Sequence, residues 1–171
     1  LALAHSRAQV QYCETGFDND GKLTGMRVRL VGDAGAYPGM GALLPTLTKF
    51  MANGTYNLPK LRFDIAVGIT NTTPTGAYRG AGRPEATALF ERAIDQAALE
   101  LGIDPLEIRR RNFYQKEKKN ITHYGMKIED NIIHEIFDSL IKSSNYKSRQ
   151  LDVKKFNLKN KHLKKGIAIT P

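Results

Sequence analysis

The sequence predicts an α+β fold in which antiparallel strands pack beside helices. Strands are predicted where apolar and polar side chains alternate with a period of two: residues 8–15, 22–31 and 61–69. Helices are predicted where apolar residues recur at helical spacing or capping residues flank a segment: residues 42–55, 84–101, 105–112 and 130–142. Both kinds of element are present in quantity, so the chain is neither all-α nor all-β.

The first two strands are predicted to form an antiparallel hairpin. The segment between them, Asp18-Asn-Asp-Gly21, consists of residues that favour tight turns. The second strand places its apolar side chains on one face and its arginines on the other: Met26, Val28 and Leu30 against Arg27 and Arg29. The third strand runs directly into a loop rich in glycine.

That loop, residues 70–85, contains three glycines, two prolines and two arginines, and the strongest helical pattern of the chain follows it. Glycine lets a backbone approach a ligand closely, and the N–H groups at a helix N-terminus favour anions. Spacing alone leaves two interpretations open, a phosphate- or cofactor-binding turn and a structural strand-to-helix turn. Gly80-Ala-Gly82 lacks the third glycine of the dinucleotide fingerprint, and no Gly-Lys-Ser/Thr of a P-loop follows.

Other charged residues also have two interpretations. Asp33 can be a catalytic carboxylate, but in a glycine-rich stretch it is more often a turn residue that binds nearby N–H groups. Asp104 is predicted to cap the helix at 105–112, with Glu107 at capping-box spacing. The last turn of that helix carries Arg109, Arg110 and Arg111. These arginines suit the negative helix end, and they can also bind an anion or an acidic partner surface.

Charge is unevenly distributed along the chain. The net charge is +9, and residues 114–165 hold 13 Lys or Arg against 6 Asp or Glu. This segment is either a solvated lysine-rich face or a basic binding module for nucleic acid or an acidic protein partner. Cys13 is the one cysteine, which excludes an intramolecular disulfide framework and favours a reducing compartment, the cytoplasm. No apolar run approaches the ~20 residues of a membrane span, and no signal peptide is expected.

Three motifs occur in a specific order: Thr75-Gly-Ala-Tyr-Arg-Gly-Ala-Gly-Arg-Pro-Glu85, Phe90-Glu-Arg-Ala-Ile-Asp-Gln-Ala-Ala98 and Gly102-Ile-Asp-Pro-Leu-Glu-Ile-Arg-Arg-Arg-Asn112. Shorter motifs precede them: His5-Ser-Arg-Ala8, Asp20-Gly-Lys-Leu-Thr-Gly25 and Gly32-Asp-Ala-Gly-Ala-Tyr37. Together they resemble the molybdopterin-binding large subunit of the xanthine dehydrogenase/aldehyde oxidase family, which includes aerobic carbon monoxide dehydrogenase large subunits. We therefore expect an internal fragment, with residues 1–113 in the cofactor-binding region and 114–171 a basic helical and linker segment leading into a truncated strand.

The resemblance implies a molybdenum hydroxylase, an oxidoreductase that oxidises a small substrate with oxygen derived from water. Its cofactor would be molybdenum–molybdopterin, in a dinucleotide form, with iron–sulfur clusters and FAD on partner subunits or domains in a dimer of heterotrimers. The loop arginine of the family maps onto Arg79, which would contact the cofactor, and Gly80 would lie near the ligands of the metal. Ala81 would line the substrate pocket. No catalytic residue and no direct metal ligand is expected here, and the fragment alone would be inactive.

Departures from the family narrow the expected substrate. Copper-containing carbon monoxide dehydrogenases have a cysteine where Gly80 stands, so carbon monoxide oxidation is not expected. Xanthine-type enzymes have a bulky aromatic residue at the position of Ala81 and an arginine near Thr46-Leu-Thr48. Both are absent, which leaves an aldehyde, an N-heterocycle or a similar small compound. The same resemblance argues against a catalytic role for Glu85 and Glu91, and no nucleic acid partner is expected.

Overall fold

A three-stranded mixed sheet forms the centre of the fold. The computed structural model describes residues 4–6 and 8–171. Strands β1 (Gln9–Phe17), β2 (Leu23–Asp33) and β3 (Leu61–Gly68) lie in the order β1-β2-β3. Residues 1–3 and Arg7, which belongs to one of the upstream motifs, lie outside the described residues. The α+β class is confirmed.

Strand directions agree with the prediction at one pair and differ at the other. β1 and β2 form the expected antiparallel hairpin, with Cys13 opposite Val28. β3 pairs parallel to β2, with Ile65 opposite Leu30, so the expectation of antiparallel strands is wrong for this pair. The reason lies in the connection, because the chain between β2 and β3 includes a helix, and a helical crossover returns the chain in the same direction.

The sheet and the helices of the first part of the chain form one compact unit, which ends at Glu129. Its helices are α1 (Leu44–Met51), α2 (Arg83–Leu101) and α3 (Pro105–Asn112), and a short 3₁₀ turn at Met40–Ala42 precedes α1. Gly102 ends α2 in the left-handed conformation at φ 64°. The carboxylate of Asp104 accepts from the N–H groups of Leu106 and Glu107, and it thereby caps α3 as predicted.

A second compact unit, Asp130–Pro171, contains α4 (Ile133–Ser143) and α5 (Tyr146–Lys159). α4 begins three residues after and ends one residue beyond the predicted helix at 130–142, whereas α5 falls in a segment for which no element is predicted. Its pattern is weak because its apolar residues do not share one face, and Tyr146 is the buried residue described in it. Residues 166–170 were expected to begin a strand, but they pair with no strand in the described part of the chain.

One face of the sheet is buried beneath helices and the other is exposed. Apolar side chains of β2 point to the buried face, where Val28 and Leu30 are completely inaccessible to solvent. Burying side chains of this size contributes ~1.5–3 kcal/mol each. On the opposite face Val10 and Tyr12 of β1 are more than half exposed. The helices therefore cover the side of the sheet that the alternation in β2 marks as apolar.

A buried polar network joins α2 and α3 to the aromatic core. The Arg109 side chain is 3% exposed, and its Nη2 lies 2.8 Å from Glu91 Oε2 and 2.8 Å from Asp95 Oδ1. Tyr56 donates its hydroxyl to Glu91 Oε1 at 2.7 Å, and its ring stacks on Phe90. Desolvation lowers the pKa of Arg109, but the bond to Asp95 and the charge of Glu91 raise it above its usual value. Arg109 is thus a structural cation, and its predicted alternative role as an anion ligand is wrong.

No helix among the described residues is long and apolar enough to cross a bilayer.

Candidate functional site

Two glycine-containing loops meet at the carboxyl ends of β2 and β3. Because these strands are parallel, the loops that follow them leave the sheet at the same edge. Backbone hydrogen bonds join the loops: Ala34 N donates to Gly68 O, Ala36 N to Thr72 O, and Thr75 N to Ala34 O. The carboxyl edge of parallel strands is the part of an α/β sheet where ligands bind. The geometry therefore makes this edge the candidate functional site.

The carboxylate of Asp33 links the two loops through hydrogen bonds. Oδ1 accepts from Gly35 N at 2.8 Å and from the Thr70 hydroxyl at 2.7 Å, and Oδ2 accepts from the Thr72 hydroxyl at 2.9 Å. The backbone N–H of Gly35, followed by the two threonine hydroxyls, lowers the pKa of Asp33 below its usual value. All these partners favour the charged carboxylate. Asp33 is therefore the turn residue that the sequence favoured over a catalytic acid.

The backbone of the glycine-rich loop takes three consecutive positive φ angles immediately before α2. They are 100° at Gly80, 40° at Ala81 and 90° at Gly82. A Cβ on Gly80 would lie 2.6 Å from Cδ of Pro84, so that position also lacks space for a side chain. Ala81 is the non-glycine residue of the three, and positive φ costs such a residue ~1–2 kcal/mol. Strain of this kind persists where the surroundings impose it, and it is concentrated at functional sites.

Helix α1 imposes the loop conformation at Gly82. This glycine is buried, and a Cβ on it would lie 2.7 Å from Thr48 N and 2.8 Å from Leu47 Cβ. Thr48 is completely buried and donates its hydroxyl to Leu44 O at 3.2 Å, which keeps α1 in register at the contact. The middle of α1 thus packs directly against the entry of α2, next to Ala81.

The three predicted site residues lie in this strained segment with different exposures. Arg79 is exposed, while Gly80 and Ala81 are half-buried. Gly82 N-caps α2 without a side-chain bond, and Pro84 occupies its first turn. A glycine cap leaves N–H groups of the first turn without a capping side chain, where an anion can bind. The predicted set is therefore presented at the start of a 19-residue helix.

The same loop contains a buried hydroxyl group without a hydrogen-bond partner in the described part of the chain. Thr75 is 5% exposed, and its Oγ1 has no hydrogen-bond partner among residues 4–6 and 8–171. An unmet buried hydroxyl costs free energy unless a partner arrives from elsewhere. The exposed Arg79 and the glycine cap of α2 are, independently of Thr75, features that fit an anionic, hydrogen-bonding group such as the molybdopterin cofactor.

Glu91, which the resemblance did not make catalytic, is held in the network with Tyr56 and Arg109. Within the described ranges, no cluster of three or more His, Cys, Asp or Glu side chains is arranged to hold a metal ion.

The sequence missed the packing of α1 on the loop. In the sequence, the segment Thr46-Leu-Thr48 is informative only because it lacks an arginine, and nothing in it predicts a contact with the loop. A signal for the contact was present, because Gly82 stands where a helix N-cap prefers Ser, Thr, Asp or Asn. A glycine there indicates either a left-handed backbone or a close neighbour, and the structure has both.

Comparison with known proteins identifies what this arrangement is similar to. The family model of the molybdopterin cofactor-binding domain matches residues 1–113. A xanthine dehydrogenase of Dictyostelium discoideum is 30% identical over 156 residues, which cover 91% of this chain and 11% of the relative. The nicotinate dehydrogenase large molybdopterin subunit of Eubacterium barkeri is 35% identical over 121 residues, 71% of this chain and 28% of that subunit.

The fold is also found in solved structures. Quinoline 2-oxidoreductase from Pseudomonas putida 86 superposes with a TM-score of 0.84 at 26% identity, and the match covers 93% of this chain and 21% of that one. The chain thus spans between about a tenth and three tenths of the length of these three proteins.

Proposed function

Because this chain belongs to the xanthine dehydrogenase/aldehyde oxidase family of molybdopterin-binding proteins, we propose that it is part of the large subunit of a molybdenum hydroxylase. The observation that carries the proposal is the loop at residues 79–82, whose strained backbone presents an exposed arginine at the glycine-capped start of α2. In this proposal residues 1–113 belong to the cofactor-binding region, and residues 114–171 form a basic segment that follows it in the chain. Activity requires the rest of the protein.

Residues of the loop have distinct roles in this proposal. Arg79 donates charged hydrogen bonds to the anionic groups of the cofactor. Gly80 gives the backbone close access to the ligands of the metal, since no side chain stands there. Ala81 lines the substrate pocket. The bound molybdenum cofactor, in its dinucleotide form, supplies the redox chemistry of hydroxylation with oxygen derived from water.

The small side chain of Ala81 supports a substrate other than a purine. Ala81 has only a methyl group, and Leu47 and Thr48 pack beside the neighbouring Gly82. Neither an aromatic ring for stacking nor an arginine for a purine carbonyl is present at these positions. With Gly80 in place of a copper-binding cysteine, carbon monoxide is also disfavoured. Two of the similar proteins are named for nicotinate and quinoline, so we propose an aromatic N-heterocycle or an aldehyde as substrate.

Electrons leave through partners in this proposal. One relative is named as the large molybdopterin subunit of its enzyme, which supports a multisubunit assembly. We propose iron–sulfur and FAD subunits or domains as the electron acceptors, a dimer of heterotrimers as the assembly, and the cytoplasm as its compartment.

Replacing Arg79 tests the site. In the full-length protein, Arg79→Ala is expected to lower molybdenum content or turnover by at least about tenfold, because a charge-assisted hydrogen bond contributes roughly 1.5–3 kcal/mol. Molybdenum is measured by elemental analysis per folded protein and turnover with an artificial electron acceptor. Arg29→Ala is the matched control, since Arg29 is an exposed arginine on the far face of the sheet. Full activity and unchanged molybdenum in Arg79→Ala would refute the assignment.

A substrate panel on the assembled enzyme tests the chemistry. Quinoline-like and pyridine-like heterocycles and aromatic aldehydes are expected to be oxidised, while xanthine and carbon monoxide are not. Turnover of xanthine as fast as that of the best heterocycle would overturn the substrate proposal while leaving the cofactor site intact.

A further inference from the structure

Strand β1 has an open edge whose polar backbone groups can be assigned. Asp33 N donates to Ala8 O, and hydrogen-bonded and non-hydrogen-bonded pairs alternate along an antiparallel ladder. The amides of Val10 and Tyr12 therefore point to β2, while those of Gln9, Gln11, Cys13 and Thr15 point outward. β1 is the end strand of the sheet in the described part of the chain. An edge of this length is a template for another strand.

A groove runs along this edge between β1 and α2. Its volume is about 1180 Å³, and it is lined by β1 from Gln9 to Phe17 and by α2 from Pro84 to Leu101. Nine residues of strand span ~30 Å, and the 19 residues of α2 span ~28 Å, so the groove has the length of a complete strand. None of its described lining residues belongs to β2. The groove therefore opens on the side of β1 that faces away from β2.

The chemistry of the groove suits an uncharged extended segment. Side chains of β1 that line it are half-buried and carry no charge: Gln9, Gln11, Cys13, Thr15 and Phe17. Small and apolar residues of α2 face them, among them Leu89, Ala93 and Ala97, while the charged Arg92 and Glu100 lie exposed and Glu85 half-buried along the same lining. Gln11 Oε1 is buried and has no hydrogen-bond partner among the described residues, although its Nε2 donates to Gln9 Oε1. The groove thus lacks both a strand partner and a donor.

We propose that a segment of the same polypeptide outside residues 1–171 pairs with β1 as a fourth strand and fills this groove beneath α2. The segment alternates apolar side chains toward Ala93 and Ala97 and supplies a donor to Gln11 Oε1. The proposal rests on the proposed function in one respect, since it requires these residues to be part of a longer subunit. The similar proteins are about four to nine times longer than the matched stretch, which provides such a segment.

A second copy of the chain is a poorer occupant. A two-fold axis that pairs two β1 edges brings both α2 helices to the same face of the joined sheet. Each α2 lines the space beyond its own β1, so the two helices would compete for one position. A separate subunit is the remaining alternative. In that case the pairing would be lost when the large subunit is isolated, whereas in our proposal it is retained.

Hydrogen exchange of the full-length large subunit tests the pairing. The outward amides of Gln11 and Cys13 are expected to exchange more than about 100-fold more slowly than in an unstructured peptide, as slowly as the inward amides of Val10 and Tyr12. Residue resolution comes from fragmentation of labelled peptides, and the inward amides are the internal control. Fast exchange at Gln11 and Cys13 with slow exchange at Val10 and Tyr12 would overturn the proposal. Protection that disappears on dilution would also overturn it, because it would indicate a second copy as the occupant. So would protection that is present in the assembled enzyme and disappears when the large subunit is isolated, because it would indicate a separate subunit.

Photo-crosslinking identifies the occupant. A benzophenone amino acid at Gln96, an exposed residue of α2 in the groove, is expected to crosslink within the subunit to a peptide outside residues 1–171. The same group at Arg62, an exposed residue of β3 two strands away from the β1 edge, is the control and should not capture that peptide. Capture from both positions, or from neither, contradicts the proposal. Neither readout depends on molybdenum. An empty groove in a protein that retains its metal would refute the fourth strand and leave the proposed function standing. A filled groove in a protein that lacks the metal would refute only the proposed function.

Discussion

Two glycines at the ends of α2 differ in what surrounds them. Gly82 at the start and Gly102 at the end both have positive φ, 90° and 64°. A Cβ at Gly102 would meet nothing within 4 Å, whereas one at Gly82 would collide with α1. At Gly102 the backbone conformation alone requires glycine, while at Gly82 packing requires it too.

This difference predicts unequal costs for the same substitution. Gly102→Ala is expected to destabilise by ~1 kcal/mol, the cost of a left-handed alanine. Gly82→Ala should cost at least ~1 kcal/mol more, because α1 must also move. Thermal unfolding of the full-length protein measures both variants, and Gly102→Ala serves as the control. Equal shifts in the unfolding midpoint would mean that α1 does not constrain the loop.

Arg109 is the most deeply buried charge described in the chain, and its partners are unequally exposed. The Glu91 side chain is 14% exposed, and the Asp95 side chain is 60% exposed. The pair with Glu91 is therefore the one that burial strengthens, and the pair with Asp95 is screened by solvent.

Removing this arginine is expected to destabilise the protein by ~3–5 kcal/mol, because Arg109→Ala leaves the Glu91 carboxylate buried without its cation. Arg62→Ala is the control, since Arg62 and Asp64 are 68% and 49% exposed, and it should cost less than ~1 kcal/mol. Chemical denaturation of the full-length protein gives both values. A cost below ~1 kcal/mol for Arg109→Ala would show that the network is not needed for stability.

At the scale of elements, the site depends on the parallel pairing of β2 and β3. This pairing brings the ends of both strands to one edge, where Asp33 from the first loop binds Thr70 and Thr72 from the second. The bonds link residues nearly forty positions apart. The parallel pairing of β2 and β3 thus brings the two loops together, and the carboxylate of Asp33 links them.

The lowered pKa of Asp33 predicts how the loops respond to acid. Its stabilising contribution is complete above the unfolded-state value of ~3.9 and is lost as pH falls through the lower, folded-state pKa. Asp33→Asn is expected to unfold at a lower temperature than the parent at pH 7, and the difference should shrink as pH falls through the folded-state pKa of Asp33. Unfolding midpoints measured from about pH 2 to pH 7 check this. A difference independent of pH would exclude the charge of Asp33 as its cause.

At the scale of the whole molecule, positive charge is concentrated in the second compact unit. Residues Asp130–Pro171 form their own compact unit and carry nine Lys or Arg against four Asp or Glu. Two of these cations follow α5 in the chain and contact its residues. Lys164 Nζ donates to Asn157 O and Asn160 O at the end of α5, and Lys165 lies 4.1 Å from the Phe156 ring centroid.

The full-length protein is accordingly expected to show no nucleic acid binding at about 150 mM salt. Gel-shift or anisotropy titrations with single- and double-stranded oligonucleotides at several salt concentrations measure this. A dissociation constant in the nanomolar range that weakens steeply with salt would instead favour the basic binding module. Charge reversal at Lys154 and Lys155 would then locate it.

Local chemistry is what the sequence determined by itself. Turn residues at 18–21, alternation in β2, the Asp104 cap and the stripe of α2 depend on neighbours along the chain, so the hairpin and helices of residues 1–113 could be predicted. The order of the motifs likewise identified the family and the loop. Helix α5 could not be predicted, because its apolar side chains do not lie on one face of the helix.

Only the tertiary structure decided what distant segments do to one another. The parallel direction of β3, the collision that makes Gly82 obligatory, and the burial of Arg109 against Glu91 depend on contacts between residues far apart in the chain. The reason is that a strand or helix pattern specifies which face is apolar, but not which partner covers it. The same limit applies to the edge of β1, whose side chains alternate as in any strand and which has no strand on its outer side among the described residues.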